Sequence, residues 1–394
     1  MAEAAIDKPS YHGPAFFSYG FRPFFLGAAI FSGVEVPAWI LLFVGGGDPA
    51  FLYAPRDWHV HEMLFGFLPA VITGFLLTAI PNWTERAPVR GMPLMLVWTL
   101  WLAGRLVIAM PWFTPLVSAI VDGAFLVVVA AIVWREIAAS GSWSLGPMGG
   151  LISLYAGANI LFHALALRGA ATDLPERTAL ALVMVLLALI GGRVTPNLTR
   201  NFMVQEGMTK HPAPFSYFDG VSVVLVSVAA VAWTVQPQTM AIGWTLMAAG
   251  LTNLARLLRW RGWVIWREPL VLILHLGYGW LVMSLLALGG SILGLGMNSA
   301  NAVHVLTAGA VGVMTLAVMT RASLGHTGRP LHASSMTVVI YILINLGAML
   351  RVSVPSADSP TNIMLGLSAV AWSGAYLLFA VVYGPLLIRP STDE

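Results

Sequence analysis

Nine histidines and a few acids within apolar surroundings are the residues of this 394-residue chain best suited to chemistry, because it contains no cysteine. Without thiols there can be no disulfide, iron–sulfur cluster, thiolate-bound haem or covalent c-type haem. A metal bound here must take imidazole, carboxylate, thioether or backbone oxygen. Imidazole is the usual ligand of haem iron and of copper. His59, His61, His163, His275 and His304 fall within or at the edges of long apolar stretches, whereas His12, His211, His326 and His332 fall between them. A loop role suits the second group.

Three acids share the apolar stretches with the first group: Glu35, Glu62 and Asp122. Each is a candidate for proton delivery or for orienting a ligating imidazole, with a helix–helix hydrogen bond as the plain alternative. Arg105 is the arginine set deep in such a stretch, and a buried guanidinium needs an anion. Asp122 and a haem propionate are both candidates. Asn159 precedes His163 by one helical turn, so it could orient the ring or a diatomic ligand, or serve as interhelical glue. His59 and His61 are two residues apart, which on a helix turns them about 200° from each other. His61 is expected to face inward, and His59 to join it only if the helix start is frayed.

The elements that position these residues follow from composition. Hydrophobic residues make up 58%, charged residues 9%, and mean hydropathy is +0.82. A soluble domain carries roughly 25% charged residues, so a soluble enzyme and a nucleic-acid binder are excluded. The fold class is all-α, a polytopic membrane protein in contact with the lipid bilayer. Apolar runs of about 20 residues suffice to span it. Twelve are expected, at 20–45, 58–80, 92–110, 115–137, 147–168, 178–196, 217–236, 239–258, 269–293, 301–321, 336–354 and 362–388. They form a single integral-membrane unit over 1–394. The opening MAEAAIDKPSYHGP is polar and is not followed by a cleavable apolar core, so the first span is expected to target the chain.

Basic residues set the orientation. With a cytoplasmic N-terminus, the cytoplasmic side holds 15 of the 20 Lys and Arg residues (Lys8, Arg22 and Arg389 among them). The other side holds four: Arg56, Arg168, Arg177 and Arg351. Both termini are therefore expected in the cytoplasm. His59, His61, His163 and His304 then fall at one depth near the outer edge, with His275 nearer the cytoplasm. That shared depth makes the four the expected metal set. A pattern H-x-x-x-x-G recurs at His61–Gly66 and His304–Gly309, a hint of duplication between 20–196 and 217–388.

The stretches FSYGFRPFFLGA (17–28), WHVHEMLFGFLPAVITGFLLTAIPNWT (58–84), GGRVTPNLTRN (191–201) and HVLTAGAVGVMTLAVMTRASLGHTGRPL (304–331) resemble the NnrS family. The resemblance extends over essentially the whole chain. It implies a twelve-helix protein of the bacterial inner membrane that contains haem b and copper and handles nitric oxide under nitrosative stress, often alongside denitrification. The family's motif histidines fall on His59, His61, His304 and His326. On this reading, the candidate cofactor-binding residues are His61, His163, His304, Arg105 and Asn159, and the candidate metal ligands are His59, His61, His163 and His304, with the division of the histidines between haem and copper left open. Glu35, Glu62 and Asp122 would carry protons for reduction of nitric oxide to nitrous oxide. The electron donor would be a quinol or a small redox protein. The rival readings are a non-catalytic nitric-oxide sensor or scavenger and a transporter for a metal or small anion. The spans lack breaks at matched midplane positions, which speaks against a transporter.

Overall fold

A computed structural model describes residues 11–45, 52–110, 112–354 and 362–392. Lys8, counted above among the basic residues, lies outside them. Backbone groups in lipid must be satisfied within their own segment, so each apolar run becomes a helix. Twelve long helices result: α1 (Phe21–Gly45), α2 (Pro55–Thr84), α3 (Met92–Ala109), α4 (Pro115–Ser140), α5 (Gly146–Ala166), α6 (Asp173–Gln205), α7 (Tyr217–Val235), α8 (Met240–Arg259), α9 (Pro269–Ile292), α10 (Ser299–Gly325), α11 (Ser335–Val352) and α12 (Asn362–Ile388). No strand occurs among the described residues. The expected all-α fold of about twelve helices is observed.

Eleven of the helices are long and apolar enough to cross a membrane. The exception is α8. Its buried face carries Asn253 and Arg256, which lower its apolarity. Packed between α7 and α9, α8 is held by Arg256, which reaches Asp219 Oδ1 at 3.1 Å and the Tyr278 hydroxyl at 2.7 Å. Helix α6 runs on to Gln205, past the expected end at 196. There Thr195, Thr199 and Met203 turn inward at helical spacing while Arg193, Asn197 and Arg200 face out. This amphipathic pattern extends a helix beyond its apolar stretch.

Helices α2, α9 and α10 are the innermost. The chain closes on itself where α12 packs against α1. Near the start of α1, Arg22 donates to the carbonyls of Leu386, Leu387 and Arg389 at 3.3, 3.1 and 2.6 Å. It thus caps the end of α12, whose last carbonyls have no partner within the helix. The start of the first helix and the end of the last thus meet at one end of the bundle. The Gly91 N–H bonds to the Phe17 carbonyl at 2.8 Å, placing the α2–α3 turn at that same end. At the opposite end, Arg56 forms a two-pronged pair with Glu176 at 2.9 and 2.8 Å.

Arg22→Ala should remove the three bonds to carbonyls and a fourth, from Nη2 to Ser391 Oγ at 2.8 Å, each worth about 1.5–3 kcal/mol. The non-additive loss expected is about 3 kcal/mol, read as a lower melting temperature of the detergent-purified protein. An unchanged melting temperature would show that the α12 cap contributes nothing.

Candidate functional site

Immediately after His61, the helix widens from i→i+4 to i→i+5 turns over Glu62–Phe67. Such π segments are rare and recur at functional sites. Neighbouring side chains take up the carbonyls that this widening displaces. Trp101 Nε1 donates to the Gly66 carbonyl at 2.9 Å, and the Tyr155 hydroxyl to the Leu64 carbonyl at 2.5 Å. Gly66 is needed here for space: a Cβ would lie 2.9 Å from Arg105 Cζ.

Arg105, fully buried, lies between two acids. Its Nη1 donates to Glu62 Oε1 at 2.5 Å, and its Nη2 to Asp122 Oδ1. Of the two partners considered for Arg105, Asp122 is thus the one observed, and Glu62 is added to it. Asp122 Oδ2 is the hub on the other side. It accepts from Asn159 Nδ2 at 2.9 Å and from His163 Nε2 at 2.8 Å, with His61 Nε2 at 3.2 Å. His61 Nδ1 faces Glu62 Oε1 at 3.0 Å, and its Nε2 also lies 3.2 Å from Asn159 Oδ1. Asn159 therefore serves Asp122 and His61 rather than its helix neighbour His163.

His61, Asp122 and His163 can each offer a ligand atom, all within 4.8 Å of one another and all buried. Two imidazoles and a carboxylate are a donor set suited to copper, zinc or iron. Charge points the same way. Two carboxylates face one guanidinium, so the cluster calls for one more cation at the imidazoles, either a proton or a metal ion. A porphyrin does not fit at this place. The His61 ring is enclosed by His163, Phe162, Phe65 and Tyr53, with centroids 4.8, 5.2, 5.5 and 5.7 Å away.

Tyr53 is the cluster residue that sequence reasoning missed. Its hydroxyl meets His163 Nδ1 from the turn ahead of α2. Burial pushes its pKa above the usual phenol range, so it stays a hydroxyl. A lone tyrosine between spans reads as interfacial; only the chain folding back onto α5 brings it here.

Of the four histidines expected together, His61 and His163 meet. His61 and His163 share Asp122. His59 points away from them, as a two-residue spacing on a helix requires. It pairs with Glu35 Oε1 at 2.8 Å and stacks on Trp39 at 4.8 Å with an interplanar angle of 6°. At the start of α10, His304 Nδ1 lies 2.7 Å from the Ala300 carbonyl. His326, also a motif histidine, lies at the basic end against Phe21. His275 bonds to Thr199 across α6 and α9 at 2.8 Å.

The NnrS protein family matches residues 15–391. The chain belongs to the NnrS family. Comparison with curated proteins returns no match. The stretches that carried the resemblance now have places in the NnrS chain. FSYGFRPFF supplies the α12 cap, WHVHEMLFGF a π segment over Glu62–Phe67, and HVLTAGAV another over Val305–Val311.

Arg105→Ala should leave Glu62 and Asp122 uncompensated in a dry interior, at a loss of about 3–5 kcal/mol. Thermal unfolding in detergent checks this. A loss below about 1 kcal/mol, the value of an exposed ion pair, would contradict the buried bridge described here.

Proposed function

We propose that this NnrS-family chain is a metal-dependent membrane protein that binds nitric oxide and reduces it to nitrous oxide, with haem b and copper as cofactors. The observation that carries the reading is the buried His61–Asp122–His163 trio within a bilayer-spanning bundle. Family membership fits a role in the nitric-oxide response. The basic residues gathered at one end orient the chain with both termini in the cytoplasm, which suits a bacterial inner membrane.

The balanced reaction joins two nitric oxides with two electrons and two protons to give nitrous oxide and water. Nitric oxide is small and apolar, so it can reach a buried site through lipid without an aqueous channel. The bound metals would supply nitric-oxide binding and electron transfer, with a quinol or a small redox protein as donor. His61, Asp122 and His163 would hold the ion of the closed cluster. Arg105 keeps Asp122 aimed at both imidazoles, and Asn159 orients it from α5. Tyr53 connects the cluster to the turn at the non-basic end, where a proton would enter. Glu62, tied to Arg105 and His61, takes part in the same network, while Glu35 serves the separate histidine His59.

A second reading is a non-catalytic scavenger or sensor. It is favoured by the dense packing about His61, whose two ring nitrogens are both engaged. Anaerobic nitric-oxide uptake by the metal-loaded protein with added reductant separates the two. The enzyme gives one nitrous oxide per two nitric oxides over many turnovers. His163→Ala and Asp122→Ala should each slow it by roughly 100-fold, the upper range for disturbed metal-site residues. Uptake that stops at one nitric oxide per bound metal would refute turnover and leave the scavenger.

A further inference from the structure

The buried trio is one layer of side chains away from lipid, and that layer lies between α4 and α5. Two residue pairs meet across this seam. The inner pair is Asp122 and Asn159, joined at 2.9 Å and both buried. The outer pair, one residue further along each helix, is Gly123 and Ile160. Gly123 is buried, whereas Ile160 is 50% exposed and lies on the outward surface that the bilayer covers, with Leu154 and Leu161 beside it on α5.

Gly123 keeps the layer thin. Beyond its own helix, a Cβ there would meet a single atom of the described residues within 4 Å, Ile160 Cγ1 at 3.7 Å, which is ordinary contact distance. Other approaches to the cluster are closed by polar bonds. On the α3 side, Arg105 bridges Glu62 and Asp122, and a Cβ on Gly104 would come within 2.8 Å of Asp122 Oδ1. At the outer end, the Tyr53 hydroxyl is bonded to His163. A molecule entering there has to break a hydrogen bond in a dry interior, which leaves buried polar groups unpaired. At the seam it has to displace an aliphatic side chain, and exposed side chains turn between staggered rotamers in picoseconds to nanoseconds. Behind the seam, His61 Nε2 is 3.2 Å from both Asp122 Oδ2 and Asn159 Oδ1, so the route ends where the imidazoles meet.

We propose that the α4–α5 seam at Gly123 and Ile160 is the route by which a small apolar molecule passes from the bilayer to the His61–Asp122–His163 cluster, with Ile160 as its movable cover. The class of ligand is an uncharged diatomic gas, because an aliphatic layer excludes hydrated anions. This route rests on the nitric-oxide reading above and assigns its entrance to residues outside the cluster.

Stopped-flow mixing of nitric oxide with the reduced, metal-loaded protein in lipid nanodiscs gives the association rate. Gly123→Leu should fill the seam and slow association by about tenfold, with metal content and absorption spectrum as in the parent. Ile160→Ala added to that variant should restore most of the rate by returning the space. Gly157→Leu, on the lipid face of α5 with nothing within 4 Å of its Cβ among the described residues, should change nothing. Azide, a water-borne anion that ligates the same metals, should bind at the parent rate throughout. An unchanged nitric-oxide rate in Gly123→Leu would overturn the route. Equal slowing of azide would overturn it too, by showing a distorted site instead of a blocked seam. Where Gly123→Leu fails to fold, Ile160→Trp closes the seam from outside and should slow nitric oxide alike. Crystals of the metal-free protein under xenon pressure supply a readout independent of the metals. Xenon enters dry apolar gaps, so it should lie against Gly123 in the parent and be displaced in Gly123→Leu. If the loaded protein binds no nitric oxide, the nitric-oxide reading fails by itself and the xenon position decides the route: at the seam it stands, and elsewhere or absent it falls.

Discussion

A charge inside a bilayer has to be neutralised by another charge, and this requirement organises the first half of the molecule. Arg105 lies between Glu62 and Asp122, and those acids in turn collect His61, His163 and Asn159. The network therefore ties α2, α3, α4 and α5 together through side chains that could not be there alone. A buried ion pair of this kind rarely improves on an apolar core of the same shape, because desolvation cancels most of its attraction. Buried ionisable groups in membranes usually mark function for that reason. With two carboxylates against one guanidinium, the cluster favours a further positive charge, a proton or a metal ion, where the imidazoles meet.

The π segments show how helices make room for such groups. Three occur among the described residues, at Glu62–Phe67, Leu187–Gly191 and Val305–Val311. Each has a buried donor or a large ring against it. Trp101 donates to the Gly66 carbonyl in the first, and Arg256 reaches the Ala188 carbonyl at 3.4 Å in the second. In the third, Trp280 occupies the space a Cβ on Gly309 would need, 2.6 Å from its Cδ2. The first and third begin on the residue after a histidine and contain the glycine of the shared H-x-x-x-x-G pattern. The shared pattern thus has the same local backbone form in both places. The chemistry around the two histidines nonetheless differs: one is buried among acids, while the other is only partly buried.

The two ends of the bundle do different work. At the basic end, arginines act as caps and clamps, Arg22 on α12 and Arg256 and Arg259 on Asp219. At the other end, the ionisable groups are closely coupled, as in the His61–Asp122–His163 trio and the His59–Glu35 pair.

The apolar composition, the twelve runs and the lopsided lysine and arginine distribution were legible in the amino-acid sequence. All three depend on the cost of placing polar groups in lipid, which local composition determines. The opposed directions of His59 and His61 were legible too, because helical geometry is local. Which of the four histidines meet was not legible, since shared depth says nothing about which helices are neighbours. Nor was the role of Tyr53, which depends on a turn folding back onto α5. The extension of α6 to Gln205 and the π segments were likewise missed, because both depend on what packs against the helix. Sequence thus determined which groups lie at which depth in the membrane. Tertiary packing alone decided which of them meet, because a hydrogen bond or a metal bond reaches only a few ångströms.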